Sequence, residues 1–329
     1  MLPEIVVCFF TLAIVAGIGW LIARFFWERH MVDDLADKAV FITGCDSGFG
    51  QAIANKCAHE GMTVFAGCLT EKGIEALKNA DERIHAFPNN VTNDESVNAA
   101  RKYVEDHLDG KKLWAVINNA GIFAAHGPFD WCTVDNYRDS FEVNCLGGIR
   151  VTKAFSSLIK ESHGRIISVS SVAGLFAPSG YAPYSTAKYG VEAWMDVLRR
   201  EYASRGIKCC LIEPAGFKTG FVDEDAMENR LADAWSALSP QLKAEYGDEF
   251  MEQYLLKWNA LMKATTSSKI HHVVDNVFHA VAAVHPRERY LCGWQAYTIW
   301  APAMYLPTAL GDKIDRSNSA ALPRPKLMK

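Results

Sequence analysis

Seven short apolar runs constrain this chain more than anything else in it: 39–43, 63–67, 84–87, 113–117, 165–169, 208–212 and 290–292. The stretches between them are long enough for crossover helices, which parallel strands require and hairpins do not. Apolar runs alternating with helical patterns predict an α/β fold, a doubly wound parallel sheet with helices on both faces. One seven-stranded sheet is the economical arrangement. No Pro/Ser/Gly-rich linker divides the region and no internal repeat is evident, and 329 residues, half of them hydrophobic, can fill one large core.

The N-terminus departs from a soluble pattern. Residues 5–23 run IVVCFFTLAIVAGIGWLIA without a charge, close to the ~20 residues a helix needs to cross a bilayer. A cleaved signal peptide would carry a basic start, a shorter apolar stretch and a small-residue cleavage site; this chain begins Met-Leu-Pro-Glu. The segment 1–29 is therefore expected to be a transmembrane anchor. Arg24, Arg29 and Lys38 follow the span and no basic residue precedes it, which places the bulk of the protein on the cytosolic side. Asp33, Asp34 and Asp37 dilute that basic flank.

Composition excludes several functions. A net charge of −4 with scattered Lys and Arg gives no stripe for nucleic acid. Nine cysteines without paired spacing form no disulfide framework, and the absence of CxxC and HExxH proposes no metal site. Small buried hydrophobes in a reducing compartment account for them.

Two local patterns carry chemistry. The first run leads into Thr43-Gly-Cys-Asp-Ser-Gly-Phe-Gly50 and then a helix expected near Gln51. Gly44, Gly48 and Gly50 let the backbone turn tightly and let a pyrophosphate approach the helix N-terminus, where free amides and the dipole favour anions. The second is Tyr184-x-x-x-Lys188, with Ser171 thirteen residues before the tyrosine. Residues four apart share a helix face, so an ammonium beside the phenol is expected to favour its ionised form and bring its pKa down from about 10 toward neutrality. That suits proton transfer at an alcohol or carbonyl. The same spacing also arises on helix surfaces with no chemistry attached.

Taken with Asn118-Asn-Ala-Gly121 and Asn144 in order between them, these elements resemble the short-chain dehydrogenase/reductase family over roughly 37–292. Cys68-Leu-Thr, Asp130-Trp131, Leu238-Ser-Pro240 and Pro214-Ala-Gly-Phe-Lys-Thr219 narrow the resemblance to its membrane-associated retinol and hydroxysteroid dehydrogenase branch. The resemblance implies one Rossmann-type domain over 30–292, with 220–265 a substrate-loop insertion, and an NAD(P)-dependent alcohol dehydrogenase. By that resemblance Tyr184 is the general base, and Lys188 steadies the phenolate and the nicotinamide ribose. Ser171 holds the substrate oxygen beside Tyr184, and Asn144, inside the helix after the fourth strand, supports a water linking Lys188 to solvent. Cofactor contacts are implied at Gly44, Asp46, Ser47, Gly48, Phe49, Gly50, Cys68, Asn90, Val91, Asn118, Asn119, Ala120, Gly121, Tyr184, Lys188, Pro214 and Thr219. A homodimer through the long helices is implied too.

The sequence departs from the family pattern at points that bear on the cofactor. The position that commonly holds a ribose-binding acid is Cys68. An acid there would argue for NAD, and a 2′-phosphate would want a cation; the nearest is Lys72. NAD is expected on the missing cation, with NADP not excluded. Asn90 replaces the acid that often meets adenine, and Ala215 precedes Gly216 in the loop after the sixth strand. Asn90-Val-Thr92 is also the one glycosylation sequon, and a glycan facing the cofactor fits poorly with a lumenal domain. The endoplasmic reticulum membrane is the expected location.

The substrate half is thinner. Tyr246, Phe250, Tyr254 and Trp258 repeat at four-residue spacing on an expected helix, either an apolar lid over a lipid-like alcohol or ordinary amphipathic packing. In 293–329, Trp294, Tyr297, Trp300 and Tyr305 with Pro302 and Pro307 suit a membrane interface or packing on the core. If both functional readings hold, a hydrophobic alcohol enters from the lipid bilayer. A non-catalytic nucleotide-binding membrane protein is the alternative, and the intact Ser/Tyr/Lys set speaks against it.

Overall fold

The computed structural model describes residues 2–220, 224–247 and 249–319. Met1, Asp248 and the ranges 221–223 and 320–329, parts of the expected anchor, substrate loop and C-terminal segment, lie outside the described residues, as do several side chains of the first helix.

All seven apolar runs form strands: β1 (Lys38–Thr43), β2 (Thr63–Cys68), β3 (Ile84–Pro88), β4 (Lys112–Asn118), β5 (Arg165–Val169), β6 (Lys208–Pro214) and β7 (Arg289–Cys292). They pair in the order β3-β2-β1-β4-β5-β6-β7, and every pairing is parallel. The order reverses between β1 and β4, and ligands of such sheets bind in the crevice beyond the strand ends at that reversal. Strands covered on both faces read as continuous apolar runs, as they do here.

Each face has its own core. Ile42, Ile53, Ile117 and Val277 pack beneath α2 (Gly48–His59) and α11 (His271–Ala282). Phe41, Phe65, Val116 and Phe155 pack on the other face, under α4 (Asp94–Asp106), α6 (Gly147–Ser162) and α7 (Ala182–Tyr202). The Phe41 and Phe155 rings stack with centroids 4.5 Å apart. A third cluster of Phe123, Trp131, Tyr254 and Trp258 lies beyond the strand ends, beneath α8 (Glu224–Ser236), α9 (Pro240–Tyr246) and α10 (Phe250–Thr265). The aromatic series is thus not on one helix. Gly247 at φ 93°, a conformation side chains resist, separates Tyr246 from Phe250.

Helix α1 (Leu2–Trp27) covers the expected anchor. Among the described residues no helix is long and apolar enough to cross a membrane. The end of α1 is tied to the domain: Arg287 donates to Glu28 at 2.5 and 2.8 Å, His279 Nε2 lies 2.7 Å from the Glu28 carbonyl, and Met31 bridges to Ala283.

Candidate active site

The glycine turn does what its sequence required. Gly44 and Gly48 sit at φ 70° and 59°, where L-residues are strained. A Cβ on Gly44 would lie 2.7 Å from Ala120 Cα, and one on Gly50 only 2.1 Å from the Gly44 carbonyl oxygen. Ser47 is the N-cap of α2 and its side chain makes no cap bond, so the first amides of the helix have no side-chain acceptor and suit a phosphate. The turn is strapped to the end of β4: Asn119 Nδ2 donates to the Thr43 and Gly44 carbonyls at 3.0 Å, and the Asn119 and Ala120 amides donate to Thr43 Oγ1 at 3.1 Å. Across it, Thr219 lies 3.3 Å from where a Gly48 Cβ would be, and Phe49 meets Phe217 edge to face at 5.8 Å.

A cavity of about 580 Å³ runs from this turn to the third aromatic cluster. Of the expected cofactor residues, Gly44, Asp46, Ser47, Gly48, Phe49, Asn90, Val91, Asn119, Ala120, Gly121, Tyr184, Lys188, Pro214 and Thr219 line it. Three do not. Gly50 lies beneath the turn; Asn118 faces a separate small pocket and donates to Thr152 and Ser168 hydroxyls at 2.9 and 3.2 Å. Cys68 is fully buried, its sulfur 3.9 Å from the Ala66 carbonyl. Strand alternation turns Cys68 into the core and gives the cavity wall to Leu69. Cys68 thus does not line the cavity, and Leu69 does. Asp46 fixes that corner, accepting from the Leu69 amide at 2.9 Å and from the Thr70 amide and hydroxyl at 2.8 and 2.7 Å. Asn90 Oδ1 is occupied locally by the Thr92 amide and hydroxyl at 3.0 and 2.8 Å.

At the proton-transfer end, Ser171 and Tyr184 are hydrogen-bonded, and both are buried. Ser171 Oγ accepts from the Ala173 amide at 3.1 Å and donates to the Pro214 carbonyl at 3.4 Å. Lys188 donates to the Val169 carbonyl at 2.8 Å, its Nζ 5.6 Å from the Tyr184 ring centroid. The expectation that Lys188 draws the phenol toward neutrality is not met in this arrangement. Burial pushes Tyr184 up to about 12, against a lowering by Ser171, and burial pushes Lys188 down to about 8, against a raising by Glu192. Burial shifts both groups toward their uncharged forms because the protein interior solvates charge poorly, though at about 8 Lys188 still holds its proton at pH 7.

Asn144 lies in a π turn, Glu142–Leu146, joining α5 (Val134–Phe141) to α6, and such wide turns recur at functional sites. Its Oδ1 accepts from the Ile122 amide at 2.9 Å, while Nδ2 donates to the Ile122 carbonyl at 2.9 Å and to Ser140 at 3.1 Å. The side chain thereby ties the chain after Gly121 to Ser140 of α5; a Cβ on Gly121 would meet Asn144 Oδ1 at 2.8 Å.

The aromatic lobe resolves the two readings of its stripe. Tyr246, Phe250 and Tyr254 are buried packing, and of the four only Trp258 lines the cavity, with Leu261 and Met262 one turn on. Phe123, 5.1 Å from the Tyr184 ring, and Arg230 also line it; neither carries a sequence signal. In the C-terminal segment Trp300 packs on Phe176 at 5.6 Å and reaches the cavity, while Trp294, Tyr297 and Tyr305 are exposed. The eight cysteines whose side chains are described are free thiols, and no metal-binding cluster occurs among the described residues.

A glycine-lined nucleotide turn at the sheet reversal, facing a tyrosine and a lysine across one cavity, defines a dinucleotide-dependent oxidoreductase. The family model described as short chain dehydrogenase matches residues 38–230, more than half the chain, and the protein belongs to that family, which takes NAD or NADP. It is 41% identical over 306 residues to 17-beta-hydroxysteroid dehydrogenase type 6 of Bos taurus, covering 92% of this chain and 95% of that one. It is 40% identical over 305 residues to retinol dehydrogenase 16 of Mus musculus, covering 92% and 96%. A short-chain dehydrogenase from Streptomyces avermitilis shares the fold at 21% identity with a TM-score of 0.66, covering 86% of this chain and 96% of that one.

Proposed function

We propose that this dehydrogenase oxidises a hydrophobic alcohol, a retinol or a hydroxysteroid, with NAD, while held at a membrane by its N-terminal helix. The observation that carries the reading is that Ser171, Tyr184 and Lys188 border one cavity whose lining includes the apolar side chains of Phe123, Trp258, Leu261, Met262 and Trp300. The names of the relatives, retinol and hydroxysteroid dehydrogenases, support the substrate class.

Bound NAD supplies the hydride acceptor. The chain's own residues do the rest. Ser171 Oγ, held by the Ala173 amide and Pro214 carbonyl, orients the substrate hydroxyl, where a small misplacement is costly. The Tyr184 oxygen takes the hydroxyl proton, and the ammonium of Lys188 offsets the charge that the phenolate acquires. Ile122, fixed by Asn144, and the apolar wall keep water from the reacting atoms.

NAD is favoured over NADP because Asp46, a carboxylate fixed against Leu69 and Thr70, occupies the corner where a 2′-phosphate would need a cation. Membrane anchorage rests on the uncharged 5–23 segment and on exposed Leu12, Ile14, Val15, Ile18 and Trp20 along α1. Exposed Trp294, Tyr297 and Tyr305 suit the headgroup region. The basic residues after the span and the sequon at cavity-lining Asn90 favour a cytosolic domain on the endoplasmic reticulum. The long helices of the domain are the face through which a homodimer would pair.

The test is turnover. Detergent-solubilised full chain with NAD and a panel of retinol, androstanediol and estradiol should form NADH with at least one alcohol, more slowly with NADP. Tight NAD binding without NADH from any of them would sink the reading.

A further inference from the structure

Apart from Lys188, Arg230 is the one Lys or Arg among the described residues that line the cavity, and the reaction leaves it unused. It projects from α8 into the wall, half-buried, and its one hydrogen bond among the described residues runs from Nη1 to the Met227 sulfur at 3.3 Å, a weak acceptor. Among the described residues no carboxylate lies within ion-pair distance of it. The two carboxylates that share the cavity are engaged: Asp46 with Leu69 and Thr70, Asp315 with the Ser179 amide and hydroxyl at 3.1 and 2.5 Å. Its surroundings are apolar. Trp258 stacks on His126 at 4.5 Å, and burial, aided by the charge of Arg230, pushes His126 down to about 4, so that imidazole offers no second cation at neutral pH. Tyr184 meets Phe123 at 5.1 Å, and Phe123 in turn lies 6.0 Å from the buried His126, which stands behind the cavity wall. Arg230 is grouped with His126 rather than with the proton-transfer groups: its neighbour Leu231 lies 3.7 Å from where a Gly127 Cβ would be, and its charge acts on His126 but not on Tyr184 or Lys188.

A guanidinium facing a largely apolar cavity, without a counter-ion among the described residues, is a poor structural element and a good receptor. Its planar fork matches a carboxylate with two parallel hydrogen bonds, and such a bond strengthens where water is excluded. We propose that Arg230 reads the remote end of the substrate, so that the enzyme prefers hydrophobic alcohols carrying a carboxylate at the end opposite the carbinol. The inference rests on the cavity being the alcohol site.

The experiment compares matched probes differing only at that end: a 3α-hydroxysteroid with a side-chain carboxylate, and its methyl ester. Wild-type full chain with NAD should favour the acid in kcat/KM by about 10- to 100-fold, the range of a charge-assisted hydrogen bond, chiefly through KM. Arg230→Ala should bring the acid-to-ester ratio to about one, Arg230→Lys should retain part of it, and added salt should shrink it in the wild type. A wild-type ratio of one, or a ratio unchanged in Arg230→Ala, overturns the proposal. Calorimetric titration of acid and ester into the NADH-loaded chain separates the two claims. If neither is turned over yet the acid binds more tightly in an Arg230-dependent way, the alcohol reading fails and the carboxylate site stands. If the ester is oxidised and the acid shows no advantage in rate or binding, the reverse holds.

Discussion

Replacing Lys188 with methionine separates what the lysine does for catalysis from what it costs the fold. Burial lowers its pKa from 10.5 to about 8, and at about 1.4 kcal/mol per unit this corresponds to roughly 3 kcal/mol for keeping the ammonium charged at pH 7. The linkage has a definite sign. With the folded-state value depressed, the unfolded chain binds more protons between about 8 and 10.5, so the wild type gains stability as pH rises through that window. Methionine has no such window, but it leaves the Val169 carbonyl without its 2.8 Å donor, a pH-independent loss of about 1–3 kcal/mol. The stability difference, variant minus wild type, should therefore be positive or near zero at pH 7 and should fall by about 3 kcal/mol by pH 10.5. Urea unfolding of the detergent-solubilised chain at both pH values reads this directly, since other groups titrate alike in the two proteins. Activity should be lost at either pH. A stability difference that does not move with pH would mean that the ammonium is not desolvated in the folded protein, and the account of Lys188 would go with it.

Other residues give separate tests. Tyr184→Phe should keep NADH affinity and lose turnover by at least about a hundredfold, the scale of acid–base catalysis; a near-normal rate would remove the role assigned to the phenol. Cys68→Ala should leave the KM for NAD within about twofold while costing roughly 1 kcal/mol in unfolding, because Cys68 faces the core and not the cavity; a large KM effect would contradict that placement. Gly50→Ala puts a Cβ 2.1 Å from the Gly44 carbonyl oxygen, a backbone clash with no side chain to yield, and should abolish NADH binding as read by fluorescence. Arg289 bridges Glu192, Glu213 and Asp196, and burial with the nearby Glu192 raises Glu213 to about 7. Arg289→Met should destabilise by about 3–5 kcal/mol, less at pH 5, where Glu213 holds its proton, than at pH 8; equal losses would refute the buried charge balance.

The strands were legible because a sheet covered on both faces leaves no choice of residue: β1, from Ala39 to Thr43, has every side chain buried. The nucleotide turn was legible for a related reason, since only glycine fits at 44 and 50. What the sequence did not show depends on which way a side chain turns at the end of an element. Cys68 and Leu69 are adjacent, and the pleat sends one to the core and the other to the cavity. Lys188 shares a helix face with Tyr184, yet it reaches past the phenol to the end of β5. Arg230 was invisible for a stronger reason: on α8 it is one charge among several, and it becomes distinctive only once the fold places it on the cavity wall.

The ionisation of Tyr184 and Lys188 bears on direction. Burial acts on both members of the pair, up to about 12 for Tyr184 and down to about 8 for Lys188, and it favours the neutral form of each. A protonated phenol hydrogen-bonded to Ser171 is ready to donate to a carbonyl oxygen; to accept from an alcohol it must first lose that proton. The residues therefore do not by themselves make this an oxidase of alcohols. Oxidation should gain with rising pH and reduction lose by it, because proton transfer runs toward whichever partner is the stronger base. The proposed preference for oxidation would consequently rest on the cofactor corner at Asp46 and Leu69, through the proposed choice of NAD, and not on the Ser171, Tyr184 and Lys188 constellation, which is competent in either sense.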